Sequence, residues 1–63
     1  MELQMNNIYL IDWGKTTSEL YILEITADAV RATLTKNKDT TGAWYFKADL
    51  EARAVVQLNQ NLR

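Results

Sequence analysis

Gly14, Lys15, Thr16 and Thr17 follow one another in the chain, and a Gly-Lys-Thr run is how a phosphate-binding loop ends. Such a loop needs a second glycine five residues upstream, so that backbone N–H groups can cradle the anion. That position is Tyr9, inside an apolar run, and no helical segment follows Thr17 to aim its N-terminus at a phosphate. The stretch reads instead as a β-hairpin turn, with Gly14 supplying a backbone conformation that other residues resist. Asp12 and Glu19 flank the turn and are expected to face each other. Paired carboxylates can share a proton or bind a hard cation. Here no third ligand accompanies them, and they read as solvated acids beside Lys15. Ser18 is the only serine, and the chain has no histidine or cysteine to activate it. The expectation is a protein that is not an enzyme, with no metal site and no cofactor.

The segment containing Ile11, Asp12, Gly14, Thr16 and Thr17 resembles the first phosphate loop of the actin, heat-shock chaperone and sugar-kinase superfamily, roughly Ile-Asp-x-Gly-Thr-Thr on a β-hairpin. The resemblance implies that Asp12 helps place a metal–phosphate and that Gly14, Thr16 and Thr17 contact a nucleotide. Lys15 stands where that family carries threonine, and 63 residues do not supply the two lobes that close on its nucleotide.

A chain of 63 residues makes one domain, residues 1–63, with a thin core. Cysteine and histidine are absent, so no disulfide and no thiolate or imidazole metal site can staple it. Self-association or partner binding is the staple that remains. Apolar residues form 48% of the chain and charged residues 24%, a globular balance. No uncharged stretch is long enough to span a bilayer and no signal peptide is visible, so a cytoplasmic protein without membrane contact is expected. Net charge is −1, with five anions against two cations in residues 1–35. That balance does not favour a duplex nucleic-acid binder.

The elements that would carry these residues are mostly strands. Residues 7–13, 18–26, 29–36 and 43–48 are rich in β-branched and aromatic residues or alternate in polarity. Residues 1–6 read as a loose lead-in, and 37–42 as a loop. From Asp49 onward the chain is rich in helix formers, with Leu50, Ala54, Val55, Leu58 and Leu62 at helical spacing and Asp49 as N-cap. The even positions from Trp44 to Leu58 also alternate, so one long strand is the competing reading. The fold class expected is α+β: an antiparallel meander of about four strands with a C-terminal helix packed on one face. The alternative is all-β, a small barrel or sheet.

Three hairpin registers give this sheet two distinct faces. Trp13 opposite Ser18 places Ile11 by Leu20, Tyr9 by Ile22 and Leu10 by Tyr21. Ile25 opposite Val30 places Glu24 by Arg31 as an opposite-charge pair. Leu34 opposite Trp44 places Ala32 by Phe46. One face then collects Ile8, Leu10, Tyr21, Leu23, Ile25, Val30, Ala32, Leu34, Trp44, Phe46 and Ala48, and is the expected core. The other carries Tyr9, Ile11, Trp13, Leu20, Ile22 and Tyr45, with Arg31 and Lys47 beside them. Six large apolar side chains on an uncovered face mark an interaction site. The expected function is that of a small non-catalytic interaction or regulatory protein, inhibitor- or adaptor-like, acting through this face as a homodimer or on another protein. Small inhibitors of host enzymes, including those of phages and plasmids, have this size. The alternative is a single-stranded nucleic-acid binder that stacks bases on Trp13 and Tyr45 beside Arg31 and Lys47.

Overall fold

The computed structural model describes residues 1–36 and 41–58. Its elements run β1 (Ile8–Asp12), β2 (Thr17–Ile25), β3 (Ala29–Leu34), β4 (Ala43–Phe46), α1 (Lys47–Arg53) and β5 (Ala54–Gln57). The strands form one antiparallel sheet in the order β4-β3-β2-β1-β5, with one short helix packed against it, as an α+β meander requires. Among the described residues neither outer strand has a further neighbour, so the sheet is open and not a closed barrel. No helix among the described residues is long and apolar enough to cross a membrane.

The C-terminal segment divides between its two readings. Helix α1 begins at Lys47 and ends at Arg53, where Ala54 turns to extended backbone. Asp49 is not an N-cap. It lies in the first turn and pairs with Arg53 at 3.0 Å, one turn on. Val55 and Val56 are β-branched, and they continue as β5 along the free side of β1 rather than as helix. Leu62 lies outside the described residues.

The helix leads from one edge of the sheet to the other. Seven residues of helix reach about 10 Å, whereas the outer strands of a flat five-stranded sheet stand about 19 Å apart. The sheet therefore curls. Trp13, at the end of β1, reaches Tyr45 on β4 with ring centroids 5.9 Å apart, although two strands lie between them.

The concave side of the curl is the core. Tyr9, Ile11, Leu20, Ile22, Val30 and Ala32 fill it, closed by Leu50 from the helix and Leu3 from the N-terminal segment. Residues 1–6 are thus tied down: Leu3 is buried, the Met1 amine donates to the Glu51 carbonyl, and Asn6 N–H donates to the Ile22 carbonyl.

This core face is the one expected to be uncovered, and the exchange comes from register. The first hairpin turns on two residues, with Trp13 N–H donating to the Thr16 carbonyl, so Ile11 faces Ser18 and Tyr9 faces Leu20. That shift of two leaves the faces unchanged. In the second hairpin Ile25–Val30 and Glu24–Arg31 pair as expected, but a bulge at Leu23 then sets Ala32 opposite Ile22. One extra residue moves Val30 and Ala32 onto the Tyr9–Ile11 side. In the third, Val30 faces Tyr45 and Arg31 faces Trp44, an odd shift from the expected register. An odd shift reverses a strand, so Tyr45 turns to the core while Trp44 and Phe46 turn out.

Candidate functional site

Of the six residues expected to form the interaction face, Tyr9, Ile11, Leu20 and Ile22 are buried in the core and offer no free surface. Trp13 and Tyr45 are half-buried against it. The Trp13 indole N–H donates to Ser18 Oγ at 3.0 Å, and the Arg53 guanidinium lies 5.5 Å from its ring centroid. This cluster fastens the helix over the curl. Lys47 opens the helix and lines a small groove with Ala27, Asp28 and Glu51, away from the other proposed nucleic-acid contact. Arg31 is on the convex side, 6.0 Å from the Trp44 ring centroid, with its Nε 3.3 Å from Glu24 and a further bond to the Thr41 carbonyl.

The Gly14–Lys15 turn is occupied by its own contacts. Asp12 Oδ1 accepts the Gly14 N–H at 2.8 Å. Gly14 has φ +101° and stands at the first central position of the two-residue loop, where a type II′ turn takes glycine. Asp12 and Glu19 are not opposite each other: Asp12 faces Thr17, and Glu19 faces Leu10. Glu19 Oε1 instead accepts the Thr35 hydroxyl at 3.3 Å. The two carboxylates the sequence places together therefore hold separate partners.

What the fold leaves uncovered is the convex face and its two edges. Strand alternation puts Ile8 and Leu10 there, opposite the buried Tyr9 and Ile11. Tyr21 joins them opposite Ile8, and its hydroxyl donates to Asn6 Oδ1. At one edge stand Trp44, 53% exposed, and Phe46, 79% exposed. At the other, Val55, Val56 and Leu58 are exposed, with Val56 opposite Leu10. A shallow groove runs along the β4 edge, lined by Ala29, Trp44, Tyr45, Phe46 and Asp49. The sequence reading assigned Trp44 and Phe46 to the core and Val55 and Leu58 to a helix face, so it missed them as surface residues. Trp44, Phe46, Val56 and Leu58 share one signal, the even-numbered alternation from Trp44 to Leu58, and Val55 lies outside it, at the irregularity where β5 pairs β1.

Beside the aromatics of the convex face stands Arg31, held by Glu24 and a backbone carbonyl, and the same face carries Glu19 opposite Leu10 and Thr33 opposite Tyr21. Comparison with protein-family models, with curated proteins and with solved structures finds no match to this chain.

Proposed function

We propose that this is a small non-catalytic interaction protein of the cytoplasm, regulatory in the inhibitor or adaptor sense, which works through the convex face of its sheet and whose simplest partner is a second copy of itself. The observation that carries this reading is the exposure of Trp44 and Phe46 on an open edge of a domain of only 63 residues. A small domain gains from any apolar surface it can cover, and exposed aromatics are favoured anchors of interfaces. Two-fold association would bury the same patch on both copies.

The test is solution mass by sedimentation over a range of concentrations, for wild type and for Phe46→Glu. Phe46 makes little use of the core, so the substitution should alter stability by less than about 0.5 kcal/mol. The wild type is expected to associate with rising concentration and the variant to stay monomeric. A wild type that remains monomeric throughout would sink self-association and turn the search to another protein partner.

The contact of Arg31 with Trp44 favours one second reading, single-stranded nucleic-acid binding on the same face. Tryptophan fluorescence during titration with an oligothymidine at two salt concentrations separates the two. Base stacking with phosphate contacts weakens steeply with salt, and apolar association does not.

A further inference from the structure

From the geometry of the β4 edge we infer where the second copy docks: β4 pairs antiparallel with β4 of the other copy, Trp44 opposite Phe46 and Tyr45 opposite Tyr45 on the two-fold axis. This rests on the self-association proposed above. Lys47 N–H donates to the Asp28 carbonyl at 2.9 Å, and Asp28 lies opposite Lys47 in the β3–β4 register. In an antiparallel ladder bonded and non-bonded pairs alternate. Val30–Tyr45 and Ala32–Ala43 are therefore the bonded pairs. Trp44 and Phe46 consequently turn their backbone N–H and C=O groups away from β3, toward the open edge.

A strand added there must match in two respects. Its outward-turned backbone groups must meet Trp44 and Phe46, and its convex-face side chains must lie opposite convex-face side chains. A second copy running antiparallel about a two-fold axis at Tyr45 satisfies both. Each Trp44 meets a Phe46 as a bonded pair on the convex face, and the two Tyr45 residues form a non-bonded pair on the concave side. All the cross-strand contacts at the centre are then aromatic, the kind that stabilises sheets most. The pairing is isologous, so it closes at two copies and hides the β4 edge from runaway strand addition.

The area sets the strength. With Trp44 53% and Phe46 79% exposed and about 150–250 Å² per aromatic side chain, the four rings of two copies bring roughly 400–650 Å². Specific stable interfaces begin near about 1,200 Å². The dimer is accordingly a weak, reversible one, to be sought at protein concentrations of hundreds of micromolar.

The chain has no cysteine, which makes disulfide trapping clean. A non-bonded antiparallel pair has Cα atoms about 4.5 Å apart, inside the range a disulfide spans, about 4.4–6.8 Å. Tyr45→Cys is expected to oxidise to a covalent dimer more than about tenfold faster than Val55→Cys on the opposite edge, because pairing raises the local thiol concentration. Tyr45 contacts Trp13, so the exposed positions provide a second test. An equimolar mixture of Trp44→Cys and Phe46→Cys should yield mixed dimers in excess over like-with-like dimers. Equal rates at Tyr45→Cys and Val55→Cys, or like-with-like dimers in excess, would overturn the β4 pairing. If wild-type sedimentation still shows association, the reading of self-association stands and only its site is wrong. A wild type that stays monomeric up to about 1 mM removes both.

Discussion

Leu50→Ala is expected to leave the protein largely unfolded, or loosely packed, at room temperature. Leu50 is the one fully buried residue of α1, and it closes the mouth of the curled sheet in the same core cluster as Tyr9, Ile11, Val30 and Ala32. Truncating a buried leucine costs about 2–5 kcal/mol, the upper end where the site cannot collapse. A domain of this length has about 3–9 kcal/mol of stability in total. The loss is therefore comparable to everything the fold has. Urea unfolding followed by tryptophan fluorescence checks it, with Leu50→Met as the control that preserves volume and should cost less than about 1.5 kcal/mol. A loss below about 1 kcal/mol for Leu50→Ala would mean that the helix is not anchored through this side chain.

Gly42→Ala should be the next most damaging change, and it should exceed Gly14→Ala. Both glycines have positive φ, +68° and +101°. A side chain in that conformation costs about 1–2 kcal/mol at either site. Around Gly14 nothing lies within 4 Å of where a Cβ would stand. At Gly42 that Cβ would meet the Ala32 carbonyl oxygen at 2.7 Å and Leu23 Cδ1 at 2.8 Å. The leucine end can move, but the carbonyl belongs to the β3 backbone and cannot. Overpacking adds roughly 1–3 kcal/mol, so about 2–5 kcal/mol is expected for Gly42→Ala against about 1–2 for Gly14→Ala. Thermal or urea melts of the two variants give the comparison. A reversed order would show that β4 can shift away from β3 without loss.

Much of this architecture is legible in the residues. β-branched and aromatic runs located four strands, Ile25–Val30 and Glu24–Arg31 gave the true start of the second hairpin, and Gly14 marked the first turn. The allocation of faces was not legible. It depends on a single extra residue at Leu23 and on an odd offset between β3 and β4, and side chains on both faces are apolar enough to suit either choice. Hydrophobic pattern selects a register only when one face is polar. Here Leu23, Trp44 and Phe46 looked as suitable for a core as Tyr9 and Ile11. The aromatic residues expected on the uncovered side were therefore mostly those of the core, and those expected in the core, Trp44 and Phe46, are the exposed ones. The last segment failed differently: residues 49–58 satisfy helical and strand periods at once, and the chain uses one and then the other.

The place of β5 beside β1 has a consequence for the order in which the sheet assembles. The β1–β2 and β2–β3 ladders join neighbours across short turns, whereas Tyr9–Gln57 and Ile11–Ala54 join nearly opposite ends of the chain. Contacts so remote in sequence carry the largest closure entropy and form late. The four-residue β5 should be the last strand to dock and the first to open. Amide hydrogen exchange under native conditions should then release β5 protons well before those of the central β2. While β5 is away, β1 offers a bare edge, so a refolding chain at high concentration can accept the β5 of a neighbour. Swapped species should accordingly appear on concentrated refolding, revert to monomer on dilution, and be absent when the same protein is refolded dilute.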